Sequence, residues 1–285
     1  VTTAILEVLS ADSIQWYRNG VAILGANQTQ YNVPQSGLYY ATLFKNTGCI
    51  LSTVIRAINI FDSPVAGFTT NSLDQCFNNN QVAFTNSSTV ATGTLQYSWD
   101  FGDGFTSTAR DVTHNYGTPG IYQVKLVVTT NNGCKDSSST TVNIFESPTA
   151  GFTTNTASQC FSNNQFSFTN TSSISAGSLQ YTWDFGDGSF ATATDVTHNY
   201  TAPGVYTVRL IALSDKNCSN EITTVITVHP NPEADFNLNS AAAQCFKNNS
   251  FNFKNTTTIT GGNLQYTWDM GNGDIFASSD VTYSY

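Results

Sequence analysis

Trp99-Asp100-Phe101-Gly102-Asp103-Gly104 is repeated without change at Trp183-Asp184-Phe185-Gly186-Asp187-Gly188, and a third version, W-D-M-G-N-G, starts at Trp268. The tryptophans stand 84 and then 85 residues apart. Around them the same phase holds. S-P-V-A-G-F begins at Ser63, S-P-T-A-G-F at Ser147 and N-P-E-A-D-F at Asn231, and the P-G-I-Y at Pro119 returns as P-G-V-Y at Pro203. A period of this length marks a chain built from copies of one folding unit. Residues 1–61 keep the phase more loosely, with Trp16 and W-Y-R-N-G where the others carry Trp99 and its turn, and N-I-F-D-S-P at Asn59 matching N-I-F-E-S-P at Asn143. The expected units are 1–61, lacking its opening strand; 62–146; 147–230; and 231–285, lacking its last two strands. Since an open core and an unpaired edge are unfavourable, the protein is expected to continue past both ends.

Within a unit, apolar and polar residues alternate in Gln81–Asn86, Leu95–Phe101, Ile121–Val128 and Thr140–Phe145, and G-D-G and N-N-G separate the runs. Alternation bounded by turn residues reads as strands, and about seven short strands per unit without helical periodicity read as an immunoglobulin-like sandwich. Only 10% of the 285 residues are charged, with 10 Lys and Arg against 19 Asp and Glu. The net charge of −9, without a basic cluster, argues against nucleic acid and anionic lipid as partners. No apolar run reaches the length of about 18 residues that a membrane helix requires, and the first residues carry no positively charged segment followed by an apolar stretch.

The order and spacing of W-D-F-G-D-G, V-T-H-N-Y and P-G-x-Y-x-V resemble the PKD domain, in two full copies over 62–230 and a partial one over 231–285. Residues 1–61 resemble bacterial immunoglobulin-like repeats. The resemblance implies the immunoglobulin-like sandwich, and with the strand pattern and the short junctions the expected fold class is all-β, tandem sandwiches arranged as an elongated rod. It also implies a setting in bacterial surface proteins and adhesins, or as accessory modules of secreted chitinases and proteases. The cysteine-bearing form looks like repeats in large secreted surface proteins of gliding bacteria.

The motif carries the residue types from which chemistry could be made. Asp100 with Asp103, and Asp184 with Asp187, are candidates for calcium or for paired-carboxylate catalysis, but their place in a strand and turn suits capping of the turn backbone. The last unit has Asp269 and Asn272 there, and an amide can cap a turn but cannot exchange a proton. His114 and His198 are replaced by Tyr283, which points to packing near the tryptophan. Trp99, Gly102, Gly104, Tyr116, Trp183, Gly186, Gly188, Tyr200 and Trp268 are read as structural. Phe105 and Phe190 follow the turn and are candidates for exposed contact with a sugar ring. No nucleophile set, phosphate loop or paired zinc motif is present, so no enzyme activity and no cofactor are expected.

Six cysteines in an acidic chain rich in Thr and Ser point to an oxidising compartment and disulfides. The pairing expected is Cys76–Cys134 and Cys160–Cys218 within repeats, with Cys49 and Cys245 left over. Immunoglobulin topology sets these positions at opposite ends of a sandwich, and a disulfide needs Cα atoms within about 7 Å, so Cys76–Cys218 stands as the alternative. Pro64, Pro148 and Pro232 shorten and stiffen the junctions, and four sandwiches about 35–40 Å long would span about 150 Å. The chain is expected to be an extracellular stalk, spacer or adhesin body. Its partners would be neighbouring repeats, surface glycans or like chains. An accessory polysaccharide-binding module of a secreted hydrolase is the competing expectation.

Overall fold

The computed structural model describes residues 4–9 and 11–285. All regular structure among them is β-strand. The chain divides into two compact units: Val1–Leu73, Gln81–Asn115 and Ile121–Val142 form one, and Asp74–Asn80, Tyr116–Gly120 and Asn143–Tyr285 form the other.

The second unit contains the whole of repeat 147–230, which is a two-sheet sandwich. One sheet is Phe152–Thr154, Phe166–Asn170 and Val196–His198; the other runs Ser158–Cys160, Ser219–His229, Gly204–Ser214, Leu179–Asp184 and Phe190–Ala191. Alternation in sequence becomes alternation in burial: Val208, Leu210 and Ala212 are buried while Arg209 and Ile211 between them are partly exposed, because successive side chains of a strand leave opposite faces. The core gathers Phe166, Phe168, Trp183, Phe185, Tyr200, Leu210 and Ile226. Trp183 is fully buried, Phe152 meets it edge-on with centroids 5.0 Å apart, and its indole N–H donates to the Ala193 carbonyl at 3.0 Å. A buried tryptophan needs such a partner for its only polar atom.

The same plan recurs elsewhere. In the first unit Trp99 faces Leu126 and Asp100 faces Lys125 across the ladder, the register in which Trp183 faces Leu210 and Asp184 faces Arg209. The Trp99 indole donates to Ala109 at 2.9 Å and the Trp268 indole to Ser278 at 2.9 Å. In residues 1–61, Trp16 faces Ala41 and donates to Gln28 at 2.9 Å. There Ala4–Glu7 pairs with Gln30–Val33, as Val82–Asn86 pairs with Val112–His114. In 231–285, Trp268 is only partly buried and Phe236 is 52% exposed, since the described residues there include no counterpart of Gly204–Ser214 or Ser219–His229.

The first glycine of the motif has a steric duty. Gly186 has φ +78°, and a Cβ there would lie 2.7 Å from the Thr207 carbonyl oxygen; Gly102 likewise meets Gln123 at 2.8 Å. Gly188 has φ +90° but nothing within 4 Å. Gly188→Ala is therefore expected to cost about 1–2 kcal/mol from its left-handed backbone alone, and Gly186→Ala about twice that or more, because the backbone of Gly204–Ser214 must also move. Urea unfolding of the two variants measures the difference.

Candidate functional site

In each of the three repeats, the strand that carries the tryptophan ends in the turn where the acidic residues cluster. Asp184 Oδ1 accepts the Gly186 N–H at 3.0 Å, and its Oδ2 meets Arg209 Nη2 at 3.3 Å. Asp187 Oδ1 accepts the Ser189 N–H at 3.0 Å, and its Oδ2 pairs with His198 Nε2 at 2.7 Å. Asp100 accepts from Gly102 at 2.9 Å; Asp103 accepts from Phe105 at 3.1 Å and pairs with His114 at 2.6 Å. Asp269 accepts from Gly271 at 2.9 Å. The contact two residues ahead is the local bond that makes aspartate a turn former.

The histidine is held from both sides. His198 stacks on Phe185 with centroids 4.1 Å apart and His114 on Phe101 at 4.2 Å. In 231–285 Asn272 donates instead to the Tyr283 hydroxyl at 2.8 Å, and that hydroxyl donates to Asp274. The link between turn and neighbouring strand is retained while its chemistry changes.

Ser189, His198 and Asp187 also come within reach of one another. Ser189 Oγ lies 3.3 Å from His198 Nε2 and donates to Asp187. A nucleophilic triad needs the serine on one imidazole nitrogen and the acid on the other, whereas here both share Nε2. The Ser189 position holds Phe105 and Asp274 in the other repeats, identified by the carbonyls that accept from Phe101, Phe185 and Met270. Among the described residues no three His, Cys, Asp or Glu side chains converge as metal ligands.

Burial pushes the Asp187 carboxyl up, but hydrogen bonds from the Ser189 hydroxyl, His198 and the Ser189 amide, together with the His198 charge, outweigh it and leave Asp187 below the usual carboxylate range. An acid lowered in the native state contributes stability above its unfolded value of about 3.9 and loses it as the pH falls through the native value. Urea midpoints followed from about pH 5 to about pH 2 are expected to show an acid-side loss that Asp187→Asn lacks.

Phe105 and Phe190 are both exposed, at 66% and 64%, but they are not equivalents. Phe190 faces Asp184 in the ladder, the place that Thr106 takes opposite Asp100 and Ile275 opposite Asp269; Phe105 stands one residue earlier, beside His114 at 5.8 Å between ring centroids. Phe105 thus lies in the turn before Thr106–Ser107 and Phe190 on the strand Phe190–Ala191, so the two rings do not occupy one repeated position.

The within-repeat disulfides Cys76–Cys134 and Cys160–Cys218 are not formed. Cys76 is bonded to Cys218, with Cα atoms 5.4 Å apart, and Cys49, Cys134, Cys160 and Cys245 are free. The reason is strand direction. Asp74–Cys76 pairs in parallel with the end of Lys135–Phe145, Cys76 lying opposite Phe145, and Ser158–Cys160 pairs likewise with Ser219–His229, Cys160 lying opposite His229. Cys134 and Cys218 precede the starts of those strands, roughly 35 Å away at 3.3 Å per residue.

Sequence reasoning passed over a buried asparagine beside each Q-C-F. Asn164 Nδ2 donates to the Phe161 and Tyr200 carbonyls, both at 2.9 Å, and its Oδ1 accepts the Tyr200 N–H at 2.7 Å. Asn80 does the same with Phe77 and Tyr116, and Asn249 with Phe246 and Tyr285. The signal was a recurring N-N after Q-C-F, at Asn79, Asn163 and Asn248.

A tandem immunoglobulin-like sandwich whose repeated polar residues are bonded to its own turns is the class these features define. The sequence profile of the PKD domain matches residues 62–144 and 146–228, more than half of the chain, and the chain belongs to that family. It is similar to a collagenase, ColA, of Clostridium perfringens, with 46% identity over 50 residues, which is 18% of this chain and 4% of that protein. The chain thus spans a small fraction of the curated relative it matches. Among solved structures it is similar to the PKD1 domain of the Vibrio cholerae metalloprotease PrtV: 34% identity, TM-score 0.26, 29% of this chain and 96% of that one. The PKD1 domain of Vibrio anguillarum Epp matches at 29% identity with TM-score 0.27, over 30% of this chain and 99% of that one.

Proposed function

We propose that this chain is a non-catalytic extracellular spacer, the stalk or body of a cell-surface adhesin or filament, in which each repeat presents the next. The observation that carries this reading is that the acids, histidines and buried asparagines recurring with the period are engaged by backbone and neighbouring side chains of their own repeat. Short proline-bearing junctions and a disulfide linking segments of consecutive repeats support a semi-rigid array. Small-angle scattering of the chain in solution is the test. The expected result is a maximum dimension near that of sandwiches laid end to end, about 150 Å from strand length; a compact particle overturns it. Calcium has no part in this reading, so a chelator is expected to leave the melting temperature unchanged.

A second reading is that of an accessory module that attaches a secreted protease or glycoside hydrolase to a polymer. It is favoured by the relatives that are collagenase and metalloprotease modules and by the exposed rings of Phe105 and Phe190. Sedimentation with insoluble polysaccharide and with collagen fibrils, abolished by Phe105→Ala and Phe190→Ala, would establish it over the spacer.

A further inference from the structure

The bridge that forms has two halves, and the chain displays each half again without its partner. One half is a cysteine on a short edge strand laid parallel to the end of a repeat's last strand. Cys76 lies opposite Phe145, and the next residue, Phe77, donates its N–H to the Phe145 carbonyl at 2.7 Å. Cys160 lies opposite His229, and Phe161 donates to His229 at 2.7 Å. The other half is a cysteine closing the hairpin turn. The Cys218 N–H donates to Ser214 Oγ at 3.1 Å and its carbonyl accepts from the Ser214 N–H at 2.8 Å. Cys134 is held the same way by Thr130, at 3.1 and 2.9 Å.

Cys134 also has the right neighbour. Its Sγ lies 4.0 Å from the carbonyl oxygen of Phe61. Phe61 stands in N-I-F-D-S-P where Phe145 stands in N-I-F-E-S-P, so this carbonyl corresponds to the one that receives Phe77. In the formed bridge the cleft around the disulfide is lined by Gln75, Cys76, Phe145, Lys216 and Asn217, edge strand, strand end and turn together. At Cys134 the strand end and the turn are in place.

We infer that Cys134 is a covalent docking site for an edge strand of the Q-C-F type from a repeat of this same kind. The strand pairs in parallel along residues 59–61, and its cysteine bonds to Cys134. The inference holds whether the chain is a spacer or an attachment module. The bond forms by thiol–disulfide exchange with a small disulfide oxidant. The Cys134 thiolate attacks one sulfur of oxidised glutathione and releases one glutathione. The incoming cysteine thiolate then attacks the Cys134 sulfur of the mixed disulfide and releases the second. Two thiols lose two electrons and two protons, and one disulfide becomes two thiols.

The test uses the 285-residue chain in a glutathione redox buffer with a synthetic peptide of residues 71–80, N-S-L-D-Q-C-F-N-N-N. A scrambled peptide and one N-methylated at the Phe77 amide serve as comparisons, and adducts are located by mass spectrometry of digests. The native peptide is expected to label Cys134 at least about tenfold more than either comparison, while exposed Cys245 takes all three equally. Equal labelling of Cys134 by the native and scrambled peptides overturns the inference, and so does undiminished labelling by the N-methylated one. Absence of a Cys134 adduct where Cys245 is labelled overturns it as well.

Discussion

Asn164→Ala is expected to destabilise repeat 147–230 by about 3–5 kcal/mol, since it strands the Tyr200 N–H and carbonyl in the interior, each at a cost of about 1–3 kcal/mol, while the Phe161 carbonyl keeps the backbone N–H of residue 164. Asn164 is only 4% exposed, so water cannot replace it without opening the core. At several degrees per kcal/mol for a domain of this size, calorimetry should show one transition falling by more than about 10 °C while the others stay. Asn164→Asp keeps the acceptor for Tyr200 but turns the donor face into a second acceptor, so it is expected to be no milder. An asparagine whose loss left the calorimetric profile unchanged would mean that the loop after Cys160 is held by something else.

The Cys76–Cys218 bridge is the second feature with a large expected effect. It closes a sequence separation of 142 residues, and constraint of an unfolded chain over such a loop contributes about 2–4 kcal/mol. The double variant Cys76→Ala, Cys218→Ala is therefore expected to melt about 6–12 °C below the parent and to lose the parent's sensitivity to reductant. Peptide mapping without reduction should recover a fragment joining Cys76 to Cys218 and none joining Cys76 to Cys134. The single variant Cys76→Ala should free Cys218 for alkylation and leave Cys134 as reactive as before.

The acidic turn and the thiols differ in how far local sequence reaches: the within-repeat pairings expected first are not formed, and the alternative Cys76–Cys218 is. Asp100 and Asp184 bond the backbone two residues ahead, a contact encoded in the local sequence, so their role as turn formers could be inferred from residue type and spacing. Alternation along Gly204–Ser214 likewise reported which side chains face the core, because the pleat has a period of two. Phe105 and Phe190 escaped such reasoning. They stand 85 residues apart where the tryptophans stand 84 apart, so the one-place offset lay in the sequence, and the ladder partners Asp100–Thr106 and Asp184–Phe190 show that it leaves Phe105 in the turn and Phe190 on the strand.

By itself, then, the amino-acid sequence determined the repeat, the all-β sandwich, the tryptophan at its centre and the capped acidic turn, all of which depend on periodicity or on bonds between near neighbours. Tertiary structure alone decided between the two pairings open to Cys76 and made the clamp between Asn164 and Tyr200, 36 residues apart. Those depend on the direction in which a short edge strand is laid along a sheet and on the residues it thereby meets, and no spacing along the chain records that direction.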